Sequence, residues 1–258
     1  MTIITSIISN FGLVQASDSN VTRAGSSTAT SDPKVFNLGF ARAALALAGT
    51  YRVGSERMDT WMPQCIEAYA SVDEPSLEGF AQHLKTRLDQ ELTSAQRSTP
   101  TLIHIVGYVT DDAGTHPAFY FVRNAGSING RTGAYEQIAT TFTVSEDFWT
   151  RDYRESQEQG IVDPGCYRNY FNGTPDGRVA FFYFGQLFNA FLHAVWNQPT
   201  WKFRPPESLD ELATVVDLQI RTVGALFGMS NYAAPFVGGQ PQIEKIPPPP
   251  GAVPLWGA

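Results

Sequence analysis

The fold is decided by the opening residues Thr2–Ser9 (TIITSIIS), Asn10-Phe11-Gly12 and Leu13–Ser17 (LVQAS). The first segment is rich in β-branched residues, which favour strands, and the Asn-Phe-Gly step is typical of a tight turn. We therefore predict a strand, a turn and a second strand at the very start of the chain. Because chain ends usually fray unless a sheet holds them, this opening indicates that the first strand is part of a sheet.

A second strand pair and two helices are predicted next. After a polar loop over Asp18–Asp32, the segments Lys34–Leu38 and Ala41–Ala48 read as strands that end at Gly49. A helical pattern then runs from Ser55 to Ser71, where Pro63 marks a kink or a late start.

The second helix has a good N-cap in Ser76 and a clear apolar face. That face carries Leu77, Phe80, Leu84, Leu88 and Leu92.

A hairpin is predicted from Leu102–Tyr108 and Ala118–Arg123, which flank the turn-rich residues 111–114. Gly126–Gly133 (GSINGRTG) reads as a loop, and Ala134 to Arg154 has no assignable period. The region Phe181–Phe203 then holds nine aromatic residues, and the spacing from Phe184 to Val195 is nearly helical. This spacing favours a core or subunit-contact helix over a stack of rings around a ligand.

The last elements are a helix, a strand and a tail. Ser208-Leu209-Asp210-Glu211 predicts a capping box, and Gly228 can close the helix that follows. The apolar face of that helix comprises Leu212, Val215, Val216, Ile220, Val223 and Phe227. A strand at Gln242–Ile246 precedes Pro247–Pro250, where the prolines force polyproline II.

This order of strands, two helices, strands, helices and a last strand predicts an α+β fold of two sheets with helices on the outside. We expect one domain over residues 2–246 and a Pro-rich tail over residues 247–258. The length of 258 residues suits one such domain with a sizeable core.

Charge and composition narrow the function. The net charge of -7, with no run of Lys or Arg, argues against nucleic acid as a partner. Charged residues make up 17% of the chain, below the average of about 25%, so either the core is large or an assembly covers part of the surface.

Targeting signals and disulfides are not expected. The apolar residues Met1 to Ile8 lack a basic flank, Asn10 soon interrupts them, and no later apolar run is long enough for a membrane span. Cys65 and Cys166 are too few for a disulfide framework. We therefore expect a cytoplasmic protein without a membrane partner.

Metal and cofactor motifs are absent from the sequence. The residues His83, His104, His116 and His193 form no HxxxH or HExxH pair, so no metal site is expected. The sequence has no GxSxG, P-loop or GxGxxG motif, and we expect no cofactor.

One threonine has a possible catalytic context. A threonine at the N-terminus can use its own α-amine, with an ordinary pKa of about 7.7–8.0, as the base that activates its hydroxyl. Met1 precedes Thr2, and an initiator methionine is commonly removed before so small a residue. We therefore expect Thr2 to become the first residue.

The register around Thr2 resembles the opening of proteasome β-type subunits, which are N-terminal-nucleophile hydrolases. The segments that carry the likeness are Thr2–Thr5, Phe11–Val14, Ala16–Ser19, Thr22, Lys34–Phe36 and Leu47–Gly49. Asp18 lies 16 residues and Lys34 lies 32 residues after Thr2, as the family's aspartate and lysine do after its nucleophile. The bacterial HslV-like and Anbu-like homologues look most similar because they also lack a propeptide.

This resemblance implies a four-layer α/β/β/α sandwich and a threonine-type peptidase. Thr2 would be the nucleophile, Asp18 and Lys34 its charged support, and the Gly49 N–H an oxyanion donor. An apolar substrate pocket would be lined by Val21, Phe36, Leu47 and Tyr51. The family further implies a homo-oligomeric ring or open spiral, a peptide or unfolded-protein substrate, and an ATPase partner that the sequence does not identify.

The sequence departs from the family in the groups that support the N-terminal amine. Ser127, in Gly126-Ser127-Ile128, is the candidate for the serine of the family's Gly-Ser-Gly-type loop. The residues Pro235-Phe236-Val237-Gly238 offer neither the Asp nor the Ser that the family has before its last strand. Two alternatives therefore stay open: a non-proteolytic N-terminal-nucleophile amidohydrolase, and a proteasome-like scaffold that has lost its activity.

Overall fold

The structure is a computed structural model. It describes residues 2–22, 28–112, 114–128, 135–146, 168–173, 204–231 and 236–252, together with scattered positions between 180 and 200.

Eight strands, three helices, four strands, one helix and a last strand follow one another along these residues. The strands are β1 (Ile3–Ser9), β2 (Gly12–Ser17), β3 (Asn20–Thr22), β4 (Ala29–Ser31), β5 (Val35–Leu38), β6 (Ala43–Ala48), β7 (Arg52–Val53), β8 (Glu56–Arg57), β9 (Leu102–Asp111), β10 (Gly114–Ile128), β11 (Tyr135–Glu146), β12 (Arg168–Gly173) and β13 (Gln242–Ile246). The helices are α1 (Met58–Ala70), α2 (Leu77–Glu91), α3 (Ser94–Arg97) and α4 (Leu209–Gly228). The predicted α+β class is confirmed.

The first sheet has β1 at its centre. Its order is β12-β1-β2-β13, and every neighbouring pair is antiparallel. All residues of β1 and β2 are buried, because both faces of the sheet are covered. The predicted opening hairpin is thus confirmed, with a turn at Asn10 and Phe11.

The second sheet has the order β11-β10-β9-β6-β5 and is also antiparallel. Its long hairpin of β9 and β10 contains both predicted strands and extends beyond them. The pairs β3–β4 and β7–β8 form two short ribbons.

The two sheets pack against each other through apolar side chains. Ile8 and Leu13 of the first sheet meet Ala44, Val106 and Phe119 of the second. A neighbouring cluster joins Ile4 to residues that include Ala46, Ala48, Leu102 and Ala125.

Helices cover the outer faces of both sheets. The buried side of α4, with Val216, Ile220 and Val223, packs on Ile3 and Ile7 of β1. On the other sheet, a core with Trp61, Phe80 and Leu84 joins α1 and α2 to the strands. Within the described residues, no helix is both long enough and apolar enough to cross a membrane.

The helix predictions are largely confirmed. α1 contains Pro63 in its second turn, and Ser76 caps α2 by accepting a hydrogen bond from the Gly79 N–H at 3.1 Å. Ser208 caps α4, but the capping box is wrong. The Glu211 carboxylate binds Arg204 and the Glu207 N–H, because the arginine competes for it.

One loop prediction needs correction, and two strands were not predicted. Gly126–Gly133 was predicted to be a loop, yet β10 continues through Ile128 because it pairs with β11. β11 itself lies in the stretch that had no assignment, and β12 has no counterpart among the predicted strands.

Some predictions lie outside the described residues. These are most of the aromatic segment Phe181–Phe203, Cys166, His193, the Ser127 side chain and the end of the tail. In the described part of the tail, Ala252 forms a bridge with Thr115.

Candidate active site

Thr2 lies directly before β1 and is 5% exposed. Its backbone is in close contact with Gly173, the last residue of β12, which pairs with Ile3. A Cβ atom on Gly173 would lie 2.0 Å from the Thr2 carbonyl oxygen. Only glycine lets the two strands approach so closely at this point.

Asp18 follows β2 and is fully buried beside the first strand. Its Oδ1 accepts the Ile3 N–H at 2.9 Å and the Lys34 ammonium at 3.1 Å. Its Oδ2 accepts the N–H groups of Asn20 at 3.2 Å and Gly238 at 3.1 Å. These four donors come from four separate segments of the chain and surround one carboxylate.

Lys34 is 1% exposed and lies directly before β5. Besides Asp18, its Nζ donates to the Asn20 carbonyl oxygen. The backbone N–H of Lys34 donates to Oε1 of Gln242 at 2.7 Å, so β13 also fixes its position. The ammonium is two hydrogen bonds away from the peptide bond that joins Thr2 and Ile3, through the shared Oδ1.

Burial shifts both members of this ion pair. It lowers the pKa of Lys34, and the Asp18 carboxylate opposes that shift. It raises the pKa of Asp18, while Lys34 and the N–H groups of Ile3 and Gly238 oppose the change. Each charged group therefore favours the ionised form of the other, against the effect of burial.

Gly49 follows β6 with φ of +115°, in the region that favours glycine. A Cβ atom there would lie 2.1 Å from the Pro100 carbonyl oxygen. Gly49 is two residues beyond Leu47, whose N–H donates to the Lys34 carbonyl oxygen at 3.0 Å. The pairing of β5 and β6 therefore fixes the position of Gly49 relative to the backbone of Lys34.

The residues predicted for the substrate pocket occupy different environments. Phe36 and Leu47 pack in the core between the second sheet and the helices, at 9% and 1% exposure. Val21 is half-buried in β3. Tyr51 is half-buried as well, and its hydroxyl donates to the Pro33 carbonyl oxygen at 2.6 Å.

Sequence reasoning missed Gly173 and the role of Gly238. Ser127, the predicted support for the amine, pairs through its backbone with Glu136 in the second sheet. In the first sheet, Gly173 of the neighbouring strand contacts the Thr2 backbone. The run Val237-Gly238-Gly239 before the last strand is a sequence signal for the contact between Gly238 and Asp18. The backbone N–H of Gly238 donates to Oδ2 of Asp18, and such a donor does not depend on a particular side chain.

No metal site is evident in the described part of the chain, where no group of three or more His, Cys, Asp or Glu could hold an ion. Comparison with protein-family models gave no match, and a search of the curated proteins found no similar sequence. What the chain does must therefore be inferred from its own residues and contacts.

Proposed function

We propose that this chain is a threonine-type N-terminal-nucleophile hydrolase that cleaves amide bonds in peptides or unfolded protein. The observation that carries the proposal is the buried Lys34–Asp18 pair, bound through Oδ1 to the N–H of Ile3, the residue after Thr2. Burying such a pair gives little net stability compared with apolar residues of the same size. A role in the catalytic chemistry of Thr2 explains why the protein has this buried pair.

Removal of Met1 would free the α-amine of Thr2. That amine takes the proton of the Thr2 hydroxyl as Oγ attacks the carbonyl carbon of the substrate. The positive charge of Lys34 stabilises the alkoxide that develops at Oγ. The N–H of Gly49 donates to the oxyanion, an interaction worth about 2.7–4 kcal/mol in other hydrolases.

The intermediate then collapses to products. The protonated amine gives its proton to the leaving nitrogen, the amide bond breaks, and an ester joins the acyl group to Oγ. Water, deprotonated by the same amine, attacks this ester and releases the carboxylic acid and Thr2.

The proposal includes the fold and the assembly. Two packed sheets with helices outside support the four-layer α/β/β/α sandwich of this class. Leu218 and Leu226 of α4 and Met229 directly after it expose 48%, 45% and 76% of their surface, which supports burial between subunits of a ring or open spiral. We propose cytoplasmic residence for this assembly.

The first test is the state of the N-terminus. The intact mass of the purified protein should be lower than the encoded mass by one methionine residue. A β-lactone or a peptide epoxyketone should then add covalently to Thr2, because both react with a nucleophilic hydroxyl and the second also captures the adjacent amine.

Matched variants separate catalysis from folding. Thr2→Ala should abolish labelling, and Lys34→Ala should lower its rate by a factor of about 10²–10⁴. Lys245→Ala is the control, since this lysine is 48% exposed and pairs with Asp210 on the surface. If the assembled protein begins at Thr2 and resists both probes, the hydrolase proposal fails and the scaffold alternative replaces it.

A further inference from the structure

A chain of hydrogen bonds crosses the space between the two sheets and includes Asn172, which pairs with Ile4 of β1. Nδ2 of Asn172 in β12 lies 2.7 Å from Nε2 of His104 in β9. Nδ1 of the same imidazole lies 2.9 Å from the hydroxyl of Ser6 in β1. That hydroxyl donates to Oε1 of Gln15 in β2 at 2.7 Å.

The donors and acceptors fix the direction of this chain. The Asn172 amide donates to Nε2, so the proton of a neutral His104 is on Nδ1 and is donated to Ser6 Oγ. Ser6 in turn donates to Gln15. His104 is fully buried between Phe119 and Phe121, and burial lowers its pKa to about 3. A neutral imidazole therefore serves as a fixed link between the sheets.

A second link joins β12 to the other sheet at the next residue. The hydroxyl of Tyr135 in β11 accepts the Gly173 N–H at 3.3 Å and donates to the Gly173 carbonyl oxygen. Gly173 is the residue whose backbone touches the Thr2 carbonyl. Asn172 and Gly173 are thus each bound by a side chain from the opposite sheet.

We propose that His104 and Tyr135 are positioning residues that hold the Asn172-Gly173 end of β12 against the backbone of Thr2. The inference rests on the proposed function, because the reaction rate of a nucleophile depends on the position and direction of its reacting atom. A reacting group displaced by about 1 Å can lose about 10²-fold in rate. Neither residue touches the reacting atoms; each acts through β12.

The hydroxyl of Tyr135 can be tested against a close match. Tyr69 is a buried tyrosine of the outer core, and its hydroxyl accepts the Ser76 N–H at 3.4 Å. Tyr135→Phe and Tyr69→Phe each remove one hydroxyl that accepts a backbone N–H. We expect only Tyr135→Phe to lower the rate of β-lactone labelling at Thr2, by about tenfold or more.

His104 offers a test with a conservative rescue. Glutamine presents one acceptor and one donor, as the neutral imidazole does, whereas leucine presents neither. We expect His104→Gln to retain most of the labelling rate and His104→Leu to lose it. Should His104→Leu not fold, Asn172→Ala removes the same link from the half-buried partner.

Amide hydrogen exchange provides a readout that does not depend on activity. Peptides covering residues 168–173 and 2–9 should exchange faster in Tyr135→Phe than in wild type and in Tyr69→Phe. Unchanged exchange would overturn the inference, and so would faster exchange with wild-type labelling. An unlabelled wild type would overturn the proposed function, and the exchange result would then decide alone whether His104 and Tyr135 hold β12.

Discussion

Replacing Lys34 with methionine should cost stability as well as labelling. Methionine has a similar length and no charge, so Lys34→Met removes the ammonium from a site that is 1% exposed. Removing one member of a buried ion pair typically costs about 3–5 kcal/mol, because the other charge stays buried. The Asp18 carboxylate keeps the N–H groups of Ile3, Asn20 and Gly238. We therefore expect a loss near the lower end, about 3 kcal/mol.

A double-mutant cycle measures the pair itself. The free energies of unfolding of Lys34→Met, Asp18→Asn and the double variant are obtained from urea titrations at pH 7. The double variant should lose less than the two single losses together, because each single change leaves one buried charge without its partner. Labelling of Lys34→Met is measured in the absence of urea, where the variant is folded, so that lost labelling reports on chemistry.

Three results would contradict parts of this prediction. A loss below about 1 kcal/mol for Lys34→Met is the range of surface ion pairs, and would mean that the pair is solvated. Additive losses in the cycle would mean that Lys34 and Asp18 do not interact. If folded Lys34→Met were labelled at the wild-type rate, the Lys34–Asp18 pair of the wild type would have a structural role and no catalytic role.

The other predictions concern pH, backbone contact and assembly. The folded-state pKa of His104 is about 3 and its ordinary value is 6.5. Below pH 6.5 the unfolded chain binds a proton at His104 that the folded protein does not bind. The free energy of unfolding is therefore full above pH 6.5 and falls toward pH 3, by up to about 1.4 kcal/mol per pH unit. Urea titrations of wild type between these pH values should show this loss, and those of His104→Gln should lack it; parallel profiles would contradict the prediction. Gly173→Ala should lower β-lactone labelling about 10²-fold, since the new methyl group would displace Thr2; Gly39→Ala, at a position with open space, is the control, and equal labelling of both would refute it. The double change of Leu218 and Leu226 to lysine should reduce the oligomer size in light scattering without changing the circular dichroism of the subunit, and an unchanged size would exclude this face of α4 from the interface.

The parts of the fold that sequence predicts best are those with dense local signals. The opening hairpin is a continuous β-branched run with a tight turn, and α4 has a good N-cap and a helical apolar face, so both are recognisable alone. Asp18 and Lys34, which the resemblance gives as the charged support of Thr2, form an ion pair at 3.1 Å. The capping box of α4 was wrong because Arg204, which precedes the motif, binds the glutamate that the motif requires.

β12 could not be predicted because its signal is not local. Its residues Arg168–Gly173 (RNYFNG) have no alternating pattern of apolar residues. The strand exists because it pairs with β1, 160 or more residues earlier in the chain, along the full register from Ile3 to Ile8. The loop prediction for Gly126–Ile128 was wrong for the same reason, since pairing with β11 outweighs the local preference of glycine and serine. The contact between Gly173 and Thr2 depends on that distant pairing and was missed with it.

The surroundings of Asp18 show why stability alone does not account for the site. A buried carboxylate needs donors, but two or three backbone N–H groups satisfy one, as Ile3, Asn20 and Gly238 do here. Stability does not explain the ion pair either, because apolar residues of similar size in place of both groups would avoid the cost of taking two charges out of water. What Lys34 adds is a buried positive charge on the same Asp18 oxygen that accepts the N–H of Ile3, the residue after Thr2. A scaffold gains nothing from such a group, whereas a threonine that must lose its proton gains the charge that stabilises its alkoxide. The buried lysine is therefore the feature that favours the hydrolase over the scaffold.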